Sequence, residues 1–310
     1  MAFQVSPGVA IREIDLTNVV PAVSTSIGAV VVAGTKGPIE EIVTITSEKE
    51  LVDKFGVPTD DTAAYFFNAA SFLKYGNNLK VVRVAGTGAK NATAGTSGAG
   101  TGLLIKNRDH YDTSYSRGEA TQGSWAARHA GALGNAIKVS MADQTTYSGW
   151  DYAAEFNSTP GDSAYAASVG GSNDELHVVV VDADGTWTGA AGTVLEKFAF
   201  VSKASDAKRS DGTNNYYKDV INSQSKYIWW MDHTTQVTSS VNGSGSAGVV
   251  WGSTAANNGF KDLSDIVTAT LEGGVDDLSA TDGQLMTAYD IFSNGELYDI
   301  SLIPLGKAST

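Results

Sequence analysis

A chain of 310 residues with 42% hydrophobic and 18% charged side chains is long enough for two or three domains around a substantial core. Its formal net charge of −13 and the lack of any basic run argue against a nucleic-acid surface, which needs clustered Lys and Arg to neutralise phosphates. The absence of cysteine excludes disulfides and thiolate metal sites, and the longest apolar run, 27–33 (IGAVVVA), is too short to cross a bilayer.

The N-terminal stretch 6–15 (SPGVAIREID) is of strand length but makes a poor ordinary strand. Val9, Ile11 and the stem of Glu13 fall on one side, and Ala10, Arg12 and Ile14 on the other, so neither face is cleanly apolar. Pro7 and Gly8 break the structure before it, and Thr17, Asn18 and Pro21 break it again after. Such a segment suits a partner better than its own core. Residues 1–20 have no signal-peptide layout, so the protein is expected to be made in a cytoplasm and to stay there unless a larger particle carries it out.

Residues 27–33 read as a strand buried on both faces, ended by Gly34 and the Gly37-Pro38 turn. Residues 47–54 (SEKELVDK) open with a capping box, Ser47 with Glu50, and stop at Gly56 and Pro58, which predicts a short helix. A second helix is predicted over 61–75, with Ala63, Phe66, Phe67, Ala70 and Leu73 on its apolar face, followed by a buried strand over 79–85 (LKVVRVA). Strand, helices and strand make a βαβ crossover with a parallel pair.

From Gly86 to about Gly259 the composition shifts to Gly, Ser, Thr and Ala, with strand-like pieces at 137–141, 176–181, 198–201 and 227–230 and a helix at 216–222. The α/β grammar then returns: a helix over 281–293 with Leu285, Met286, Tyr289 and Phe292 on one face, and a strand over 298–302 expected to lie parallel to 79–85 or a close neighbour. The simplest account is one α/β core interrupted by a spliced-in β-rich domain. The core as far as Thr310 is expected to leave a sheet face or edge uncovered, with Val30, Val32, Ile300 or Leu302 contributing apolar surface.

No enzyme signature is present. His110, His129, His177 and His233 stand in unrelated contexts without a GxSxG elbow, and His177, within a strand, reads as a packed or surface histidine rather than a catalyst. The glycine-rich 95–102 lacks a GK[ST] ending and reads as a linker. The DADG at 182–185 lacks the later ligands of a calcium loop and reads as a hairpin turn between 178–181 and Thr186-Trp187-Thr188. Asp60-Asp61 and Asp276-Asp277 read as caps or solvated charge, and Tyr227, Trp229 and Trp230 as packing aromatics rather than a sugar site. No cofactor and no metal are expected.

Several stretches together resemble the tail sheath proteins of contractile-tailed, myovirus-type bacteriophages: SPGVAIREID, 27–38 (IGAVVVAGTKGP), 51–58 (LVDKFGVP) and 65–84 (YFFNAASFLKYGNNLKVVRV). The resemblance extends through 130–139 (AGALGNAIKV), 271–277 (LEGGVDD in 271–277) and 283–293 (GQLMTAYDIFS). It implies a structural subunit, not an enzyme, polymerising with itself as a helix of hexameric rings in the virion around a tail tube protein, assembled in the host cytoplasm, and contracting to drive the tube through the host envelope. Baseplate and tail terminator proteins would be further partners, with no nucleic acid and no direct membrane insertion. The fold class expected is an α/β core, a mixed sheet with flanking helices, interrupted by a β-rich inserted α+β domain and preceded by an extended arm. The division is 1–22 arm and hinge, 23–86 core, 87–270 outward-facing insertion and 271–310 core again, with more core expected beyond Thr310. Val5, Pro7, Gly8, Val9, Ile11, Arg12 and Ile14 are the expected inter-subunit arm residues, and Val20 and Pro21 the hinge. The competing function is a β-rich virion adhesin or carbohydrate-binding protein displaying exposed tryptophans.

Overall fold

The computed structural model describes residues 26–94, 102–243 and 246–306. The expected arm residues Val5, Pro7, Gly8, Val9, Ile11, Arg12 and Ile14, the hinge residues Val20 and Pro21, and most of the glycine-rich linker therefore lie outside the described residues. The first apolar run forms β1 (Gly28–Ala33), in which every residue is buried. Gly28 is demanded by a close approach, since a Cβ there would come within 2.6 Å of the Phe72 ring.

After β1 come β2 (Ile42–Ile45), α1 (Glu48–Phe55), α2 (Ala63–Leu73) and β3 (Leu79–Val84). β3 lies in the middle of a three-stranded sheet, parallel to β1 and antiparallel to β2. The parallel crossover and the mixed sheet match expectation, while β2 was not foreseen as an element. Alternation along β1 sends Val30 and Val32 into a cluster with Leu51, Phe55, Phe66 and Ala69, and Ala29 and Val31 into a second cluster with Ala288 and Phe292. Both faces of the strand are covered, and burying one such valine stabilises by about 1.5–3 kcal/mol.

Local chemistry sets the helix ends, with some departures from the sequence reading. Ser47 caps α1 by accepting from the Glu50 N–H, but the Glu50 carboxylate turns outward to the Thr46 N–H and hydroxyl at 2.9 Å each, so the capping box is only half made. The buried face of α2 is Tyr65, Phe66, Ala69 and Ala70. Phe67 is 58% exposed, because a helix one side of which lies on a flat sheet buries only a narrow stripe.

Beyond β3 the chain runs through α3 (Arg108–Ser114), β4 (Trp125–Ala127), β5 (Ile137–Asp143), α4 (Ala164–Ser168), β6 (Glu175–Asp182), β7 (Thr193–Ser202), α5 (Tyr217–Gln224) and β8 (Ile228–Trp230). The short pair β9 (Ser240–Val241) and β10 (Ser246–Ala247), then β11 (Val267–Thr270), complete this part. Here β11, β5, β6 and β7 form an antiparallel sheet in that order, and β4 pairs with β8. All four expected strands and the helix are present within a few residues of their expected bounds. The DADG is a turn in the connection between β6 and β7: Asp182 accepts from the N–H groups of Gly185, Trp187 and Thr188. That holds Thr186 to Thr188 in the turn, so β7 starts at Thr193 and not at Thr186.

The chain leaves β3 and returns along one line. Gly86 N–H donates to Asp277 O and Gly88 N–H to Asp277 Oδ2, Lys90 and Val275 exchange backbone bonds at 3.0 Å, and Thr93 does the same with Glu272. Asp277 is thus a loop clamp and not merely solvated charge.

The return ends in α6 (Asp282–Asp290), started by a complete capping box of Thr281 and Gln284. Its buried residue is Ala288, and Met286 is 69% exposed instead of core-facing. The expected strand over 298–302 is reduced to a single parallel bridge, Leu302 beside Gly28. Asn294 draws 294–298 into a turn through its carbonyl and side chain, so only Ser301 and Leu302 reach β1. Val30 and Val32 are 0% and 2% exposed, so they leave no bare face; Leu302, at 53%, does.

Candidate assembly surfaces

The three-stranded sheet has two edges of different character. Arg83 O, which accepts from Glu40 N–H, faces β2, and Asn78 O, which accepts from Gly28 N–H, faces β1. Strand alternation then makes Val43 with Val81 and Ile45 with Leu79 the bonded pairs, leaving the backbone groups of Ile42 and Thr44 on the outer edge. Beside this edge runs an open groove of about 810 Å³ whose charged walls are Lys36, Glu41, Asp53, Lys54, Arg128 and Lys226. Trp187 and Tyr227, edge to face at 5.0 Å, form part of the wall, and the Lys36 ammonium lies over the Trp187 ring.

The groove is lined by four basic side chains and two acidic ones. The partly buried His129 imidazole is pushed down to about 3, first by burial and then by Arg83, Arg128, Lys36 and Lys54. Arg128 itself is held in place by its guanidinium over the Trp229 ring, 3.4 Å from the centroid, and by donating to Asn222 O.

At the opposite edge, among the described residues, β1 is met at its start, where Ala29 N–H donates to Leu302 O and Ser301 N–H to Ile27 O, and at Val31, whose backbone bonds the Tyr289 hydroxyl. The segment that reaches it is exposed and mixed in character: Glu296 and Asp299 alternate with Leu297, 70% exposed, and Ile303, 47% exposed.

Arg83 joins the sheet to the β-rich part. It is 1% exposed, donates to Gly37 O at 2.7 Å and Ala130 O at 2.9 Å, and burial lowers its pKa to about 10 against the opposing effect of Asp276. Around it, Lys106 pairs with Glu40 at 2.7 Å, and Asn107 donates to Ile39 O. The β-rich part carries its own buried pair: Lys203 Nζ meets Asp143 Oδ2 at 3.0 Å with both side chains at 0% exposure. Burial raises the Asp143 pKa, but Lys203 and the Leu263 N–H outweigh it and hold the carboxyl below its usual range.

The histidines are engaged in packing. Phe200 N–H donates to His177 Nδ1, which puts the proton on Nε2 against Ser158 O, and the ring stacks on Phe156 at 4.1 Å. His233 Nδ1 shares a hydrogen bond with the Tyr217 hydroxyl, and His110 Nδ1 accepts from Lys106 N–H. Tryptophans 125, 150, 229, 230 and 251 are all under 5% exposed, and Trp229 stacks flat on Tyr111 at 4.2 Å. Five of the six tryptophans thus offer no sugar-stacking face, which removes one of the two features behind the adhesin reading, the other being the Gly/Ser/Thr-rich composition. Among the described residues no group of three or more His, Cys, Asp or Glu could hold a metal ion, and no helix is long and apolar enough to cross a membrane.

Residues 25–84 match the family described as tail sheath protein Gp18 domain III N-terminal region, a stretch that takes in β1, β2, α1, α2 and β3. Over 195 residues the chain is 37% identical to the tail sheath protein of Salmonella phage ViI, covering 62% of this chain and 28% of that one. Over these stretches the chain is similar to phage tail sheath proteins. Over 89 residues it is 45% identical to the tail sheath protein of Vibrio phage KVP40, covering 28% of this chain and 13% of that one. It therefore spans less than a third of the length of these curated relatives. A crystal structure of a sheath tail protein from Listeria innocua is similar at 14% identity and a TM-score of 0.43, covering 90% of this chain and 40% of that one. Within the sheath-related sheet, Arg83 and the β2 edge escaped the sequence reading. The available signal was an arginine inside the largely apolar run LKVVRV, which a buried strand tolerates when carbonyls outside the sheet take its terminal N–H groups, here Gly37 O and Ala130 O.

Proposed function

We propose that this chain acts as a contractile tail sheath subunit, a structural element that polymerises around a tail tube and acts by rearranging contacts between copies, not by bond chemistry. The observation that carries this reading is the coincidence of the sheath-family match, 25–84, with the three-stranded sheet and the two helices that cover one of its faces. In this proposal residues 23–86 and 271–310 make one α/β core, 87–270 is an inserted outward-facing domain, and 1–22 is an arm and hinge. The paired exit and return at Gly86 and Asp277 support the division, since a spliced domain needs its two ends side by side. Copies of the chain, the tail tube protein, the baseplate and the tail terminator are the proposed partners, and the assembled virion tail the proposed location, reached from the host cytoplasm. The arm, through Val9 and Ile11 and their neighbours, would add a strand to another copy, where roughly 0.5–1.5 kcal/mol net per hydrogen bond holds it.

Sedimentation and negative-stain electron microscopy of the purified chain test the reading. Rings or tubes that grow with concentration are expected, and proline at Ala10 or Ile11 is expected to stop their growth without altering the subunit's own unfolding. A strictly monomeric chain at all concentrations that binds glycans would overturn the assembly reading.

A further inference from the structure

The sheet's two edges carry opposite charge. From Asp262 to Gly306 the sequence contains nine Asp and Glu residues and no Lys or Arg. Four of them, Asp282, Asp290, Glu296 and Asp299, are exposed on α6 and the segment that runs on to β1. Among the described residues, five of the ten exposed large hydrophobic side chains lie on α6 and the segment after it: Met286, Leu297, Leu302, Ile303 and Leu305. An acidic surface with so much bare aliphatic side chain is unusual for a face meant only for water.

The other edge is its complement. The groove beside β2 has four basic side chains, Lys36, Lys54, Arg128 and Lys226, against two acidic ones, Glu41 and Asp53, in a chain whose net charge is −13. It also presents apolar wall from Ile42, Val43, Trp187 and Tyr227, and the unpaired backbone groups of Ile42 and Thr44.

We propose that these two edges meet between copies: the acidic 296–303 segment on the β1 side of one subunit lies in the basic groove on the β2 side of the next. The contact rests on the assembly reading above and names the surfaces that carry it. Because the two surfaces sit on opposite edges of one sheet, the contact is heterologous, and a heterologous contact that does not close on itself propagates an open helical array. The exposed charges steer and orient the approach, so the contact weakens as salt rises.

The absence of cysteine permits a direct test of proximity. A T44C copy mixed with an L297C copy under mild oxidation is expected to form a disulfide-linked heterodimer at least ten times faster than T44C mixed with K74C. Charge reversal tests the energetics: K54E/K226E alone and E296K/D299K alone are each expected to lose at least tenfold in self-association. An equimolar mixture of the two is expected to regain it, because each reversed surface then faces its complement. K74E/K208E, with the same charge change outside the groove, is expected to change association less than twofold. Cross-linking no faster than the control, or reversed variants that associate as the wild type does, would overturn the contact while leaving the assembly reading in place. Wild-type chain that never associates, yet cross-links selectively, would overturn the assembly reading and keep the contact.

Discussion

The α/β sheet of β1, β2 and β3 and the β-rich part after it are built on different economies of polar groups. The sheet's interior is aliphatic: among its buried residues Arg83 is the charged one, and it reaches out of the sheet to Gly37 and Ala130. The β-rich part is held by interior polar networks. Asp143, Asp174, Asp182, His177 and Lys203 are all at 0% exposure, and stacked aromatics such as Tyr111 with Trp229 fill the remaining space. An aliphatic sheet with open edges is suited to meeting other chains, while a region whose polar groups are satisfied internally is suited to standing alone. The difference teaches where to look for assembly contacts: at the sheet's edges.

The sharpest way to break this comparison is to empty the aromatic centre of the β-rich part. Trp229→Ala removes a fully buried ring and should cost about 3–5 kcal/mol, measured by denaturant unfolding. The two-strand sheet of β4 and β8 should lose its hydrogen-exchange protection while β1 and β3 keep theirs. Equal loss in both regions would mean they are one cooperative unit.

Next comes the buried pair. Lys203→Met leaves Asp143 charged and unpaired and should destabilise by about 3–5 kcal/mol, whereas Lys203→Met with Asp143→Leu should recover most of that. A double variant as unstable as the single one would show that hydrogen bonds from Leu263 and Thr145, and not the missing cation, set the cost.

Acid sharpens the contrast further. Burial is the main reason that His233 is lowered to about 4, despite the opposing effect of Asp232, while an unfolded histidine titrates near 6.5. The unfolded chain therefore binds this proton first, so stability falls as pH drops from about 6.5 to 4 and then levels for this group. Asp143 adds a second loss at lower pH: its folded pKa is depressed, so its contribution is present above about 3.9 and disappears as pH falls through the folded value. Unfolding free energies across pH 7 to 4 should fall, and His233→Phe should flatten the slope; an unchanged slope would contradict this assignment.

The smallest effect belongs to a helix end on the sheet side. Thr281→Ala removes the N-cap and capping box of α6 and should cost about 1 kcal/mol in thermal unfolding.

Most of the fold could be read from residue patterns, because continuous apolar runs bounded by Gly and Pro have few other uses. The runs 27–33, 79–85 and 176–181 all became strands, and the capping residue Ser47 marked a real helix start. What escaped was decided across long sequence separations. The short IVTI run became a strand because β3 offers it a partner, and LYDIS failed to become one because Asn294 claims the preceding turn. Helical spacing placed Phe67 and Met286 inside, but spacing does not say how wide a stripe the neighbouring sheet covers. The basic groove draws Lys36, Lys54, Arg128 and Lys226 from three distant parts of the chain, so no local charge run announced it.

The central claim, that the chain is an assembly subunit which meets its neighbours through the α/β sheet, is tested most directly by electron cryo-microscopy of its assemblies. The account predicts helical or ring-shaped particles with the β1–β3 sheet at the contacts between copies and the β-rich part facing outward. Ordered particles joined through the β-rich part, with both edges of the sheet free, would contradict it.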